Sequence, residues 1–412
     1  MSSSAQVDSE HQLADPVVLG TGTARQEVTD VLDLFSAYFP LPYRVIATVT
    51  IGVWGWTSVL YVLNRHNINV EYLLRFNFQP GSAAPLYRSA YQIATMLTTV
   101  YGICTGFMWL ISIFGKSLIF FGFDVLPFLC LIVLPVLIFY TGHQGHHRAA
   151  RYRLFQTFRR ISLGGLGHET RFADTIAADV LTSYSKVLAD VWIMICMLLC
   201  GRSVAGIPDR TCGGEWTIPM IISVPYLIRL RQCLTDYVRS NYNRSHLLNA
   251  AKYATTFPVI ILSVAKHKFD ESFGAAYLGA ITISNLWVLS MLINSLFSFY
   301  WDVSRDWDLS IFQLSRDSKN EVSRSGLREI TYFPKQFYYL AIAFDFGLRF
   351  TWSLKLSPHL YFFNDFEGGV FVLEVMELFR RWIWLFLRIE TEWIRSTKTG
   401  KPGNVMSDVR NA

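Results

Sequence analysis

The sequence predicts an all-α polytopic membrane protein with about nine, at most ten, transmembrane helices. Three observations carry this expectation. The 412 residues are 52% hydrophobic and only 17% charged, with a mean hydropathy of +0.29. That is too few charges to coat a water-facing surface of this length. Apolar runs of roughly the 20 residues needed to cross a bilayer recur along the chain. Finally, Lys and Arg concentrate in alternate connections, as they do when basic loops stay on the cytosolic side.

Residues 1–42 are polar and acidic, with Arg25 the one basic residue. They lack the pattern of a signal peptide and are expected to form a mobile tail with a short helix at 26–36. The apolar runs follow at 44–63, 88–114, 117–140, 179–201, 216–234, 250–266, 276–300, 336–354 and 370–388. Loop 141–172 carries Arg148, Arg151, Arg153, Arg159 and Arg160, and loop 229–249 carries Arg229, Arg231, Arg239 and Arg244. Loop 301–335 and the C-terminal tail are basic too. The intervening loops 202–215, 267–275 and 355–369 are shorter and carry fewer basic residues. The positive-inside rule therefore puts the basic loops and the C-terminus in the cytosol and the N-terminus across the membrane. In that orientation the sequon Asn243-Arg244-Ser245 is cytosolic and is not glycosylated.

Several function classes drop out. The net charge of +6 is scattered over short loops, without the basic stripe of a nucleic-acid binder. Six cysteines form no zinc spacing, and most lie in apolar runs, where cysteine packs as a small hydrophobe. His143, His146 and His147 have metal-like spacing but no acidic or cysteine partner nearby, so an interfacial segment is the better reading. RYRLFQTFRR reads as an amphipathic helix with its arginines toward lipid headgroups. No nucleotide loop, nucleophile elbow or H-E-x-x-H motif is present, so neither a cofactor nor an enzymatic activity is expected.

The informative residues are the charges inside the apolar runs. The first three runs hold one, Asp124, and read as packing or oligomerisation helices, which would make a homodimer. The last six and their ends hold Asp179, Lys186, Asp190, Lys252, Asp302, Asp306, Lys335, Asp345, Arg349, Glu374, Glu377, Arg380, Arg381 and Arg388. An arginine near the centre of a membrane helix costs about 2.5–3.5 kcal/mol on an insertion scale. LFRRWIWLFLRIETE nonetheless carries two side by side. Helical periodicity puts Glu377, Arg381, Trp384 and Arg388 on one face, with Arg380 about 100° away. Asp345 and Arg349 are four apart with Trp352 three further on, Asp302 and Asp306 are four apart, and Lys252 and Tyr253 open the sixth run. Ion pairs that hold helices in register explain any single pair. Four helices converging with cations and hydroxyls also suit a tetrahedral oxyanion, which guanidinium binds bidentately.

The stretches RLRQCLTDYVRS, HLLNAAKYATTF, WDVSRDWDL, YFPKQFYYLAIAFDFGLRFTW and LEVMELFRRWIWLFLRIETEW resemble the EXS domain of eukaryotic phosphate exporters. The likeness runs in order over roughly 165–395. With only about 40 residues ahead of the first span there is no room for the SPX sensor of those exporters, so the chain is similar to the fungal ER-retention-defective Golgi branch. The resemblance implies an accessory region at 43–165, an EXS transport domain at 166–395 and a cytosolic tail at 396–412. It implies a phosphate path through Asp179, Thr182, Lys252, Tyr253, Asp302, Asp306, Arg349, Trp352, Glu377, Arg380 and Arg381. Asp190, Asp345, Trp384 and Arg388 are expected to support or gate that path. The chain departs from the family at DVLTS, where Val180 and Thr182 replace Gln and Asn, and at Ala251, which replaces Gly.

Two functions are compatible with these readings. One is export of inorganic phosphate from the Golgi lumen to the cytosol. The other is a sorting role in retaining ER-resident proteins or recycling glycosyltransferases, with coat or sorting factors bound by loops 141–172 and 301–335 or by the tail 389–412.

Overall fold

The computed structural model describes residues 35–36, 38–74, 86–114, 125–139, 147–164, 171–204, 207–272, 277–312, 326–351, 353 and 367–398. Among them no strand occurs, and each of the nine expected runs contains helix. In chain order these are α1 (Leu41–Arg65), α2 (Leu86–Phe114), α3 (Leu126–Phe139), α4 (His147–Leu163), α5 (Phe172–Ser183) and α6 (Ser185–Leu199). They are followed by α7 (Thr217–Arg239), α8 (Arg244–Ala254), α9 (Thr256–Ser272), α10 (Tyr277–Trp301), α11 (Lys335–Arg349) and α12 (Glu367–Lys398). The amphipathic reading of RYRLFQTFRR falls on α4. The expected helix at 26–36 lies almost wholly outside the described residues, as do Asp124, His143, His146 and Trp352.

Among the described residues, four helices are long and apolar enough to cross a bilayer: Leu41–Arg65, Leu86–Ile111, Arg244–Lys268 and Ile283–Asp306. The pair α5–α6, bent by 61° at Tyr184, adds a fifth if counted as one broken span. Of the other expected spans, α7 and α12 carry ionisable side chains within their apolar runs, α11 has 15 residues, and α3 has 14.

The first helix is fastened to the last by small residues that admit large ones, the way membrane helices approach closely. At Gly55 an added Cβ would sit 3.4 Å from the Trp382 ring, and the Trp382 indole donates to Ser58 Oγ at 2.7 Å. At Gly52 a Cβ would fall 1.7 Å from the Tyr184 hydroxyl, which donates to the Thr48 carbonyl at 3.3 Å. The kink between α5 and α6 is thus seated on α1 where α1 has no side chain.

At the other end of α12, Glu390 is fully buried. It accepts from Arg328 Nη2 at 2.6 Å, from the Tyr332 amide at 2.8 Å and from the Tyr338 hydroxyl. This clamp ties the segment before α11 to α12, beside a core that includes Trp307, Tyr338, Trp384 and Leu387.

Two sequence expectations need correction. The basic stretch 229–249 is not a loop: α7 continues to Arg239 and α8 starts at Arg244. Asn243 caps α8 by accepting from the Ser245 amide at 3.0 Å, and Arg229 is buried. Nor are the cysteines simply packing residues. Cys196 and Cys212 form a disulfide, S–S 2.04 Å, which ties the end of α6 to the connection before α7. Cys104 is paired with Cys130 between α2 and α3, and Cys200 is free and exposed.

The Gly52–Tyr184 contact makes a test of this packing. Gly52→Ala displaces the Tyr184 ring and is expected to lower stability by about 1–3 kcal/mol, the usual cost of overpacking, read as a lower unfolding midpoint in detergent. Tyr184→Phe, which shortens the ring by its hydroxyl, should recover part of the loss in that background. An unchanged midpoint in Gly52→Ala would mean that α1 does not seat the kink.

Candidate functional site

The site is built on α12, whose 32 residues extend about 48 Å at 1.5 Å per residue. Its polar face meets α11, α5, and a five-residue π-helical turn at Asp302–Asp306 that continues α10. A π turn closes hydrogen bonds between residues five apart and often marks functional positions. Here the Trp307 amide bonds the Asp302 carbonyl at 2.8 Å, and the turn directs both Asp302 and Asp306 toward Lys252.

Arg380 is 5% exposed and meets three carboxylates. It donates to Glu377 from Nε at 2.8 Å and Nη2 at 2.6 Å. Its Nη1 lies 3.1 Å from Asp345 and 3.5 Å from Asp302. Arg349 contacts the same two aspartates, Asp345 at 2.9 Å through Nε and Asp302 through Nη2. Lys252 Nζ sits 3.6 Å from Asp302 and 3.8 Å from Asp306, over the rings of Tyr253 and Trp301. Asp306 accepts from the Trp384 indole at 3.3 Å and lies 3.8 Å from Arg388. Arg388 also reaches Glu392 at 3.0 Å.

Asp179 faces Arg229 at 2.7 Å and accepts from the Tyr253 hydroxyl. Arg229 in turn donates to Gln232 at 2.7 Å and to the Tyr253 hydroxyl at 3.1 Å. Each of these buried charges has an opposite partner, as charges away from water require.

Arg381 differs. Among the described residues no carboxylate lies within ion-pair distance of it. Its Nε donates to Ser183 Oγ at 2.9 Å and its Nη2 to Thr182 Oγ1 at 3.2 Å. The guanidinium lies 4.6 Å from the centroid of the Trp384 ring. Ser183 also donates to Glu377 at 2.7 Å, so one hydroxyl joins the two sides of the cluster.

The structure therefore brings together Asp179, Thr182, Lys252, Tyr253, Asp302, Asp306, Arg349, Glu377, Arg380 and Arg381, with Asp345, Trp384 and Arg388 in contact. Trp352 lies outside the described residues. Asp190 belongs instead to a second cluster toward the disulfide, bonded to Arg210 at 3.2 Å. Arg210 and Arg44 there share Glu367, at 2.9 and 2.6 Å. The sequence reading assigned no site role to Arg44, Ser183, Arg210 or Arg229. For Arg229 a signal existed: it shares a helical face with Gln232 and Cys233, both buried, whereas Arg231 points away and binds the Ile161 and Ser162 carbonyls. Arg210 and Ser183 carry no periodic signal, because one lies in a connection and the other at a kink.

An all-helical membrane protein with an ion-paired seam along its last helix is the class that the fold and site define. The chain matches the EXS family over residues 39–394 and belongs to it; the match takes in α1 as well as the C-terminal helices. It is 32% identical to Protein ERD1 homolog 1 of Schizosaccharomyces pombe, over 89% of this chain and 94% of that protein. It is 33% identical to Protein ERD1 of Kluyveromyces lactis over 55% of this chain and 60% of the other. It is 27% identical to Solute carrier family 53 member 1 of Homo sapiens over 84% of this chain but only 48% of that protein.

Removing Arg229 would leave Asp179 buried without its cation. Arg229→Ala is expected to cost about 3–5 kcal/mol, seen as a collapse of folded yield and unfolding midpoint. Arg229→Lys should restore part of both. Wild-type stability in the alanine variant would show that Asp179 finds another partner.

Proposed function

We propose that the protein moves inorganic phosphate from the Golgi lumen to the cytosol along the polar seam of α12. Arg381 carries this reading. It is an intramembrane guanidinium whose direct contacts are two neutral hydroxyls and an indole face, so an incoming anion need not displace a paired carboxylate. Phosphate fits because a guanidinium fork binds two of its oxygens at once, while Thr182 and Ser183 can turn their hydroxyls toward it. Lys252, one element away, supplies a point charge. Glu377 holds Arg380 in place, and its link through Ser183 lets binding at Arg381 loosen that grip. Trp384 lies between Arg381 and Asp306 and is positioned to gate passage toward Arg388. Transport rather than catalysis is the proposed activity.

The Cys196–Cys212 pair supports the orientation we propose, since disulfides persist in oxidising compartments such as the secretory lumen. The end of the seam with Arg44, Arg210 and Glu367 is then lumenal, and the basic surface of α4 and the C-terminus are cytosolic. Sealed Golgi vesicles test this. The exposed Cys200 should resist a membrane-impermeant maleimide until the vesicles are opened, and labelling of sealed vesicles would invert the topology.

The transport reading is tested by phosphate efflux from proteoliposomes of purified protein, with sulfate as competitor. Losing one charge-assisted hydrogen-bonding group is worth about 1.5–3 kcal/mol, so Arg381→Ala should slow efflux roughly ten- to hundredfold. Arg381→Lys should recover little, because it lacks the fork. Absence of efflux from folded wild-type protein would move the function to the cytosolic surface. In that case reversing the charges of Lys401 and Arg410 in the tail would disturb sorting, whereas under the transport reading it leaves flux intact.

A further inference from the structure

The lumenal cluster contains an imbalance that ion pairing does not explain. Glu367 accepts from two arginines and Asp190 from one, as described above. Glu374 is only 5% exposed, and its Oε1 has no hydrogen-bond donor among the described residues. Its carboxyl lies within hydrogen-bonding reach of the carboxyl of Asp190, itself 3% exposed. Both groups are acceptors when ionised, and two carboxylates in contact in a buried site cannot both hold a charge.

We propose that Asp190 and Glu374 together form a proton-binding site that couples proton movement to phosphate movement. One proton between them supplies the missing donor and leaves a single negative charge opposite Arg210. The inference rests on the transport reading and deepens it by naming the coupled ion.

The surroundings fit a site that gains and loses a proton. The groups facing the pair are Arg44 from α1, Lys186 on α6, Arg210 from the connection after α6, and Glu367 on α12. From α7, Tyr226 approaches Ser185 and Glu377. Lys186 is not buried by the protein, so one cation facing the pair stands outside the ion-paired core. Arg210 is held two residues from the Cys196–Cys212 disulfide, so the countercharge does not drift when the proton leaves. Glu374 is also one helical turn from Glu377, about 4.5 Å along the axis. Arg381 lies seven residues from Glu374, about 10.5 Å along the axis, and in a poorly screened interior a negative charge arriving there still favours a proton on the pair. Anion and proton then stabilise each other and travel down the same gradient.

The test uses the full chain in proteoliposomes loaded with labelled phosphate. Efflux is measured at equal pH and with the interior one unit more acid, and the readout is the ratio of the two rates. One proton per phosphate is worth up to about tenfold per pH unit, so the wild-type ratio should stand well above those of Glu374→Gln and Asp190→Asn. Phosphate's own ionisation is common to all three proteins, so the difference between them belongs to the pair. Glutamine also supplies a permanent donor to Asp190, which favours folding of that variant. Equal ratios in all three, with phosphate moving, overturn the proposal and leave the transport reading standing. If no protein moves phosphate, infrared titration of the purified chains still decides on proton binding. A carboxylic-acid carbonyl band present in wild type and lost in both variants supports the site, and its absence from wild type refutes it.

Discussion

A charge buried between membrane helices must find its opposite on another element, and the arrangement around Arg380 follows from that demand. Three carboxylates converge on it, Glu377 from one turn earlier, Asp345 from α11 and Asp302 from the π turn. Arg349 bridges the last two from the other side. Moving any of these elements along its axis would strand at least one charge, at a cost of several kcal/mol. The ion pairs thus fix the register of α10, α11 and α12 against one another. The apolar contacts of Leu387 or Trp384 alone do not, because lipid competes for such surfaces on nearly equal terms.

The π turn belongs to the same constraint. Asp302 and Asp306 must both reach Lys252, while Asp302 also serves Arg349 and Arg380. A turn with bonds five residues apart is a local distortion that the paired charges stabilise. The outer fastenings serve the same end. Gly52 and Gly55 let α1 lie close to Tyr184 and Trp382, and Glu390 clamps Arg328, Tyr332 and Tyr338. Between them they hold both ends of α12 while the middle carries the charges.

The helices were legible in the sequence because apolar runs and a 3.6-residue period leave a strong local trace. Most of the site was legible too, since Asp345, Arg349, Glu377, Arg380 and Arg381 break those runs visibly. Arg229 was not, because a basic residue near the end of an apolar run reads equally as a loop residue. Only the burial of Gln232 and Cys233 on its face separates it from Arg231. Asp190 lies near the functional helices in sequence yet belongs to a different cluster, since the 61° bend at Tyr184 redirects everything after Ser183. Arg44 and Arg210 meet at Glu367, which is more than 150 residues from either. Such partnerships are properties of tertiary packing and leave no spacing to read.

Structural registry and ligand binding make different demands on a membrane arginine, and Arg380 and Arg381 stand side by side with different partners. Arg380 has as many carboxylates as its geometry can use, so its insertion cost is offset within the fold. Arg381 donates to two hydroxyls and faces an indole, and no carboxylate among the described residues pairs with it directly. A residue kept for registry would be matched by an acid, as Arg229 is by Asp179 and Arg388 by Glu392. A methionine or leucine would fill the space beside Trp384 without the cost of about 2.5–3.5 kcal/mol that a central arginine carries. A guanidinium with no carboxylate in direct contact, beside rotatable hydroxyls, would be stabilised by an anion that arrives and leaves, the property the proposed transport path requires.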